Sequence, residues 1–473
     1  MIKYLSLVTA FSLTLIWGNL FSQATTDFLS PEAFLRQVFA NNPDALRADL
    51  LGEMAAASLL TARGGFDPEL YGDYYGKNFK GTDYWDISEA GLYVPTLGGL
   101  ELLAGYRTAS GDFLSTADTQ PTRGQAFAGI KAHLLQGLIT DERRTSLRRA
   151  ELLQQWNEIE ALAIRNDLGF DAMLVYLDYS YASSELELLR FSRNLAELRL
   201  DQTRSAFTAG DRPALDTLET AMQLSQREVD IASARTDLIA AERNANILLW
   251  ESADPGSVPL SLPPPVDLES LNLYIGSQQP VIDASNNPEL LAYNFKLADL
   301  DLERRLKKQK VLPKLTVKYE ALADGFDFTP KDEEGNSVGD FVLNDNKFEV
   351  AFTAPIFQRT ARGEVQLNAL KIRDSELQRD LKIRSLNQKL QQYQEQLEQT
   401  RNQYDLQQGL VNNYRRLLEA EQIKFDLGDS SVFLLNSREN KWLDSRMKLL
   451  KTRKELSKIE LTLQYLGGNI GSW

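Results

Sequence analysis

One histidine, His133, and no cysteine set narrow limits on the chemistry open to this chain. A single imidazole has no partner with which to build a His-based catalytic or zinc centre, and without thiols there are no disulfides and no thiolate metal sites. Neither a phosphate-cradling glycine loop nor a nucleophile elbow occurs. His133 reads as a side chain on a strand or pore wall. The sequence therefore points away from an enzyme, and no cofactor is expected. The residues whose types and spacing do ask for a role lie at two similar turns, Gly210-Asp211-Arg212-Pro213 and Leu427-Gly428-Asp429-Ser430. Each glycine supplies a left-handed turn residue. Each aspartate either caps the helix that follows or offers a charge to a partner. Asp216, Glu219 and Glu439 nearby read as solvated helix charges or as contact residues.

The elements that hold these turns are long. Ala361 to Phe425 contains no proline, and its only glycines are Gly363 and Gly409. Leu386, Leu390, Tyr393, Leu397, Thr400, Tyr404, Gln407, Val411, Tyr414 and Leu418 follow one another in alternating steps of four and three. That is a heptad seam, softened at Thr400 and Gln407. A continuous helix here reaches roughly 100 Å at about 1.5 Å per residue. A second rod is expected from a cap at Thr140 or Asp141 to about Phe207. Its seam runs through Trp156, Ile159, Ala163, Asn166, Phe170, Met173 and Leu177 and resumes at Leu188, Phe191, Leu195 and Leu198. Leu162, Leu174 and Tyr181 lie beside that seam and predict neighbours on both flanks. Ala214–Trp250 and Val432–Leu466 return after the two turns, each about half a rod long. Ser30–Arg63, opened by Ser30 and Pro31 and interrupted at Asn41-Asn42-Pro43, and a helix from Pro288 to about Val311 supply what is missing. Each short pair stacked end to end would run beside one rod, which gives four helical columns.

Between the helices the period changes from 3.6 to 2. Pro68–Phe79, Ala126–Gln136, Pro313–Phe328 and Lys347–Phe357 read as strands. In Ala126–Gln136, Ala126, Ala128, Ile130, Ala132 and Leu134 share one face, while Gln125, Lys131 and His133 share the other. The last two strands are long enough to cross an outer membrane, where about 9–11 residues suffice. Trp85–Thr122 is ambiguous: Gly91–Val94 and Leu100–Arg107 form two further strands, or the segment is an extracellular extension. Lys3, the apolar run Tyr4–Trp17 and Ser22-Gln23-Ala24 predict a cleaved signal peptide over 1–24. No later apolar run has helix-crossing length, so a membrane passage would use strands. The net charge of −14 argues against nucleic-acid binding.

The plan occurs twice. Asn286-Asn287-Pro288 echoes Asn41-Asn42-Pro43, Ile356-Phe357-Gln358 echoes Leu134-Leu135-Gln136, and Phe425 to Asp429 echoes Phe207 to Asp211. The expected organisation is a first repeat over 25–250, a proline-rich linker over 251–285, a second repeat over 286–468 and a tail over 469–473. Each repeat is expected to hold a helix, two strands, a rod, a turn and a shorter helix. Four strands cannot close a barrel, and open edges are costly in lipid. The strands must then share a barrel with further copies of the chain.

Ala354-Pro355-Ile356-Phe357 running into Arg362-Gly363-Glu364, and Phe425 to Ser431 ending in Asn436-Ser437-Arg438-Glu439, resemble the TolC-like outer-membrane efflux channels over about Ser30–Gly468. The resemblance implies a mainly α chain with β strands. Three copies would form a 12-stranded outer-membrane barrel in contact with lipid and a helical barrel of twelve helices in the periplasm. It also implies docking to a periplasmic adaptor and to an inner-membrane transporter, RND or ABC, in tripartite efflux or type I secretion. The turns at Gly210 and Gly428, with Asp211 and Asp429, would then form the periplasmic entrance. Asp216 matches the family's gating aspartate. Its usual arginine partner is Ser430 here, and the acidic ring positions are Leu434 and Ser437, so the common closing contacts are not carried over; Arg438 and Glu439 are candidate substitutes. The competing reading is a periplasmic coiled-coil scaffold without a pore. The apolar strand faces discriminate, because a scaffold would bury or lack them.

Overall fold

The computed structural model describes residues 28–116, 119–121, 123–250, 262–271, 287–326 and 345–468. The expected signal peptide, the tail over 469–473, most of the linker and nearly all of the polar loop at 332–345 lie outside the described residues. The helices are α1 (Pro31–Asn41), α2 (Pro43–Gly64), α3 (Glu142–Thr208), α4 (Ala214–Leu249), α5 (Pro288–Lys310), α6 (Arg359–Asp426) and α7 (Val432–Leu466). Both rods, α3 and α6, are single uninterrupted helices. The start signals act as read at Ser30, whose Oγ accepts from the Ala33 amide, and at Asp141, whose Oδ1 accepts from that of Arg144; Asn287 Oδ1 also accepts from the Leu290 amide and caps the next helix. Asn42 ends α1 in extended conformation, and Pro43 restarts the chain as α2, since proline suits a first helical position and no interior one.

Contacts divide the chain into two compact units that cut across the two repeats. One contains 1–46, 165–281 and 390–473, the other 47–164 and 282–389. The first unit is helical. Its core joins Phe34, Leu35 and Val38 of α1, Met173, Tyr176 and Leu177 of α3, Leu249 of α4, and Leu443 and Leu461 of α7. Leu174 and Tyr181 pack against this core, whereas Leu162, in the other unit, stays exposed. End-to-end stacking is visible where Asn42 Nδ2 donates to the Leu248 carbonyl at 3.1 Å.

The proline-rich connector does not behave as a free tether over 262–271. The Leu29 amide donates to the Pro264 carbonyl at 2.9 Å, and the Tyr176 hydroxyl donates to Leu29 O at 2.7 Å while accepting from the Val266 amide. Leu268 and Leu271 are buried in the core. Prolines keep this segment extended, and hydroxyls on α3 satisfy the backbone groups that the extension leaves unpaired.

The α6 seam is as the heptads require. Leu386 and Val411 are buried and the other eight seam residues are partly buried, while Leu406, Leu410 and Leu417 on the opposite flank are exposed.

The second unit carries one antiparallel sheet of six strands in simple meander order. They are β1 (Glu69–Phe79), β2 (Thr82–Pro95), β3 (Leu100–Ser110), β4 (Gln125–His133), β5 (Lys314–Asp324) and β6 (Asn346–Thr353). The expectation of two strands per repeat is therefore corrected: the first pass supplies four strands and the second supplies two. The ambiguous segment 85–122 is largely strand. Its first hairpin turns at Lys80-Gly81, both with positive φ, in the two-residue manner that matches strand twist. A lysine in that place gives none of the Asn-Gly or Asp-Gly signal that marks such turns. Its second turn closes with Thr96 N–H donating to Leu100 O at 2.9 Å and with Gly99 at φ +81°.

Candidate functional site

Two places carry the functional argument, the paired helix turns in the first unit and the two faces of the sheet in the second.

The turns are built alike. Asp211 N–H donates to Ala206 O and Gly210 N–H to Phe207 O; Asp429 N–H donates to Lys424 O and Gly428 N–H to Phe425 O. Both glycines have φ +83°. This is a Schellman closure, in which a left-handed residue lets two amides cap the last carbonyls of a helix. Neither aspartate caps the returning helix: α4 begins at Pro213 with no side-chain cap, and α7 is capped by Ser431 Oγ, which accepts from the Leu434 amide at 3.3 Å. Asp211 and Asp429 are left exposed at the tips.

Arg212 ties one turn to the other. Its guanidinium donates to Ser430 O at 3.1 Å and to Phe425 O at 3.4 Å, lies over the Phe425 ring at 4.5 Å, and reaches Asp216 at 3.9 Å. The resemblance places an arginine two residues after the second glycine. Here the arginine stands two residues after the first glycine, and Ser430, which holds the other position, donates to Glu421 Oε1 at 2.6 Å. Arg212 was legible as a turn residue but not as a link, because nothing in sequence joins positions 212 and 430. Replacing Arg212 with alanine removes both bonds to carbonyls and is expected to loosen the second turn by about 2 kcal/mol. Hydrogen exchange of the amides at 424–430 should then rise by at least about tenfold, and unchanged exchange would count against the link.

Arg438 and Glu439 part company. Arg438 is half-exposed and meets Glu421 at 3.8 Å. Glu439 is 1% exposed, so it presents no surface to a docking partner. It pairs with Arg199 of α3 at 3.7 Å, and neither its Oε1 nor the Nε and Nη1 of Arg199 has a hydrogen-bond partner among the described residues. Burial pushes the Glu439 carboxyl above the usual range against the pull of Arg199 and Arg227, and burial pushes Arg199 down.

The sheet separates charge from hydrocarbon row by row. On one face the register sets Lys131 beside Lys318 and Glu101, and Glu89 beside Arg107 and Asp73. Arg107 reaches Glu89 and Glu320, each at 3.3 Å, and Lys318 reaches Glu320 at 2.6 Å. Glu101 gathers Lys131 at 2.9 Å and Arg143 of α3 at 3.2 Å. His133 lies on this face, 3.1 Å from the Thr316 hydroxyl, on a strand as the sequence reading allowed. The other face aligns Leu70 with Leu92, Val94 with Leu102, Leu102 with Ile130, Ile130 with Tyr319, Tyr319 with Phe348, and Val317 with Val350. Asp86 and, past the bulge, Asp83 opposite Asn78, both next to the first hairpin turn, are the carboxylates on it among the described strands. The burial is inverted relative to a water-soluble sheet: Glu320 is 1% exposed, while Leu70 is 85% and Phe348 68% exposed. Such a face suits lipid, with the charged face toward a lumen. No helix among the described residues is long and apolar enough to cross a membrane.

No protein-family model matches the sequence, and no curated protein matches it either. Solved structures do match in fold. The CmeC outer membrane channel of Campylobacter jejuni aligns with a TM-score of 0.65 at 15% identity, covering 93% of this chain and 86% of that one. The MtrE outer membrane channel of Neisseria gonorrhoeae, in its open state, gives 0.65 at 14% identity over 93% and 89%. The outer membrane protein VceC of Vibrio cholerae gives 0.63 at 10% identity over 93% and 96%. Long helices closed by Schellman turns, a strand meander with one exposed apolar face, and this likeness over nearly the whole length all agree: the chain has the fold of the TolC-like outer-membrane channels.

Proposed function

We propose that the protein is a passive outer-membrane exit duct, a homotrimer whose strands line a pore in the lipid and whose helices extend into the periplasm. It receives cargo from an inner-membrane transporter, RND or ABC, through a periplasmic adaptor, in tripartite efflux or type I secretion. The observation that carries this reading is an exposed apolar strand face, charged only near the first hairpin turn, backed by a charged face whose Glu101, Arg107 and Glu320 are buried. A pore-free scaffold has no use for that inversion. The cargo crosses without catalysis; the duct supplies a water-filled path, and the energy comes from the transporter. The entrance is formed by the turns at Gly210 and Gly428, where exposed Asp211 and Asp429 and the helical stripe Leu215, Leu218 and Met222 offer an adaptor both charge and apolar surface. Asp216, held by Arg212, belongs to the closing contacts, and Arg438 lies beside them.

The direct experiment is fractionation followed by planar-bilayer recording. A detergent-requiring oligomer that conducts ions supports the duct; a buffer-soluble monomer without conductance overturns it. The entrance has its own test. At φ +83° with no atom within 4 Å of an added Cβ, Gly428→Val meets no clash and suffers backbone strain alone, about 1–3 kcal/mol. It should reshape the tip, so that a panel of pump-substrate dyes accumulates in cells while the oligomer persists on a gel. Normal dye efflux in the variant would remove the turn from the entrance.

A further inference from the structure

The four-strand expectation failed in an informative way. The extra hairpin, β2 with β3, is a full part of the wall. Its partners run the whole span: Glu69 to Phe79 of β1 against Tyr93 to Thr82 of β2, and Leu100 to Arg107 of β3 against Ala132 to Gln125 of β4. The β2–β3 turn lies at the end of the sheet where the helices attach, with Gly99 against the Arg144 guanidinium of α3. The β1–β2 turn at Lys80-Gly81 lies at the opposite end. β2 and β3 therefore traverse the same distance as β1 and β4. Arg107 of β3 fastens the hairpin to its neighbours, reaching Glu89 on β2 and Glu320 on β5 across the charged face. On the apolar face the half of the hairpin nearer the helices contributes Ala90, Leu92, Val94, Leu100, Leu102 and Ala104, while Asp86, Ser88, Thr108 and Ser110 continue the same face toward the opposite end.

Two edges remain. Among the described residues β1 pairs only with β2, and β6 only with β5. Among the described residues neither edge strand carries a proline or a charge on its apolar face to blunt it. Each unpaired amide or carbonyl would cost several kcal/mol in hydrocarbon, so in a membrane both edges need strand partners. The two edges fit each other. β1 leaves the helix-bearing end and β6 returns to it, so β1 of one copy lies antiparallel to β6 of the next. Both strands keep even-numbered residues on the apolar face. Gly72 and Gly76 recur every four residues on β1, and Phe352 and Phe348 do so on β6. Antiparallel pairing sets a ring over each glycine, the arrangement by which aromatic side chains cover edge glycines. In that register Tyr74 faces Val350.

We propose that each copy contributes six strands to the membrane wall, through β1–β6 pairing between copies, so that three copies close an eighteen-stranded barrel rather than a twelve-stranded one. The proposal rests on the duct reading above and on the trimer that belongs to it. Barrel diameter grows roughly linearly with strand number, so the wall is about half as wide again as four strands per copy would give. Barrels of this size leave an aqueous channel. The outer mouth is then no constriction, and control of passage falls to the helical entrance.

The native chain has no cysteine, which makes the test clean. Tyr74→Cys/Val350→Cys, made in the full-length protein and oxidised in membranes, should give disulfide-linked species up to three chains, with single variants as controls. Val350→Cys is replaced in parallel by Phe348→Cys and by Phe352→Cys to cover a two-residue slip. Maleimide labelling of single variants reads the hairpin independently: Leu92→Cys and Leu102→Cys should be protected by lipid, and Leu103→Cys labelled from the lumen. Electron cryomicroscopy of the extracted oligomer should count eighteen strands. A membrane-embedded trimer with twelve strands, or equal labelling at 102 and 103, overturns the proposal and leaves the duct intact. A protein absent from the membrane overturns both.

Discussion

Glu439→Leu is expected to destabilise the helical unit by about 3–5 kcal/mol, the cost of breaking a buried ion pair from one side. Arg199 would remain buried near the Phe425 ring with its carboxylate gone. Arg199→Met should cost a similar amount by leaving Glu439 behind. The double variant Arg199→Met/Glu439→Leu should return to the wild-type level or exceed it by about 1–4 kcal/mol, because two poorly satisfied charges give way to packed side chains. Circular dichroism melts of the detergent-extracted protein supply the cycle. Single variants that melt with the wild type would mean that the pair is solvated.

A pH arm follows from the same site. Burial raises the Glu439 carboxyl above its unfolded range, although Arg199 and Arg227 pull the other way. Between the unfolded and the raised value the native state therefore keeps a proton that the unfolded chain has released, and above the raised value the pair with Arg199 is ionised. The stability from this group is complete below the unfolded carboxyl pKa of about 4.3 and is lost as pH rises through the raised value. Glu439→Leu should abolish that part of the slope, while Asp429→Asn, at an exposed position, should leave it unchanged.

Ile130→Arg is the second large effect. Ile130 sits mid-strand in β4, between Leu102 and Tyr319 on the apolar face. A charge at the centre of a barrel's lipid face costs about 2–4 kcal/mol. In the proposed duct, loss of the oligomer, measured as the heat-resistant fraction on a gel, is the expected result. Lys131, the next residue, already carries a charge on the opposite face beside Glu101, so Lys131→Arg should assemble normally. Equal assembly of the two variants would contradict the assignment of the faces.

Much of this protein is legible without coordinates, for local reasons. The heptad seam from Leu386 to Leu418 names the buried side of α6 because helical period alone puts those residues on one face. The glycines at 210 and 428 name the turns because few other residues tolerate a positive φ. The alternation in β4, β5 and β6 separates the faces for the same period-based reason. The aspartates misled because a polar residue before a helix reads as a cap, whereas the Schellman closure moved the start of each helix two residues on, to Pro213 and Ser431. β2 was seen only as Gly91–Val94, since Trp85, Asp86, Ser88 and Glu89 lack the alternation that marks a half-buried strand.

By itself, then, the sequence determined the rods, the turns and the apolar strand faces, each of which follows from the periodicity or backbone preference of neighbouring residues. Tertiary structure alone decided that Arg212 bridges to Ser430, that Glu439 is buried against Arg199, and that the sheet has six strands with two free edges. Those facts concern residues far apart in the chain. They depend on where the rods and hairpins come to rest, and no local pattern encodes that position.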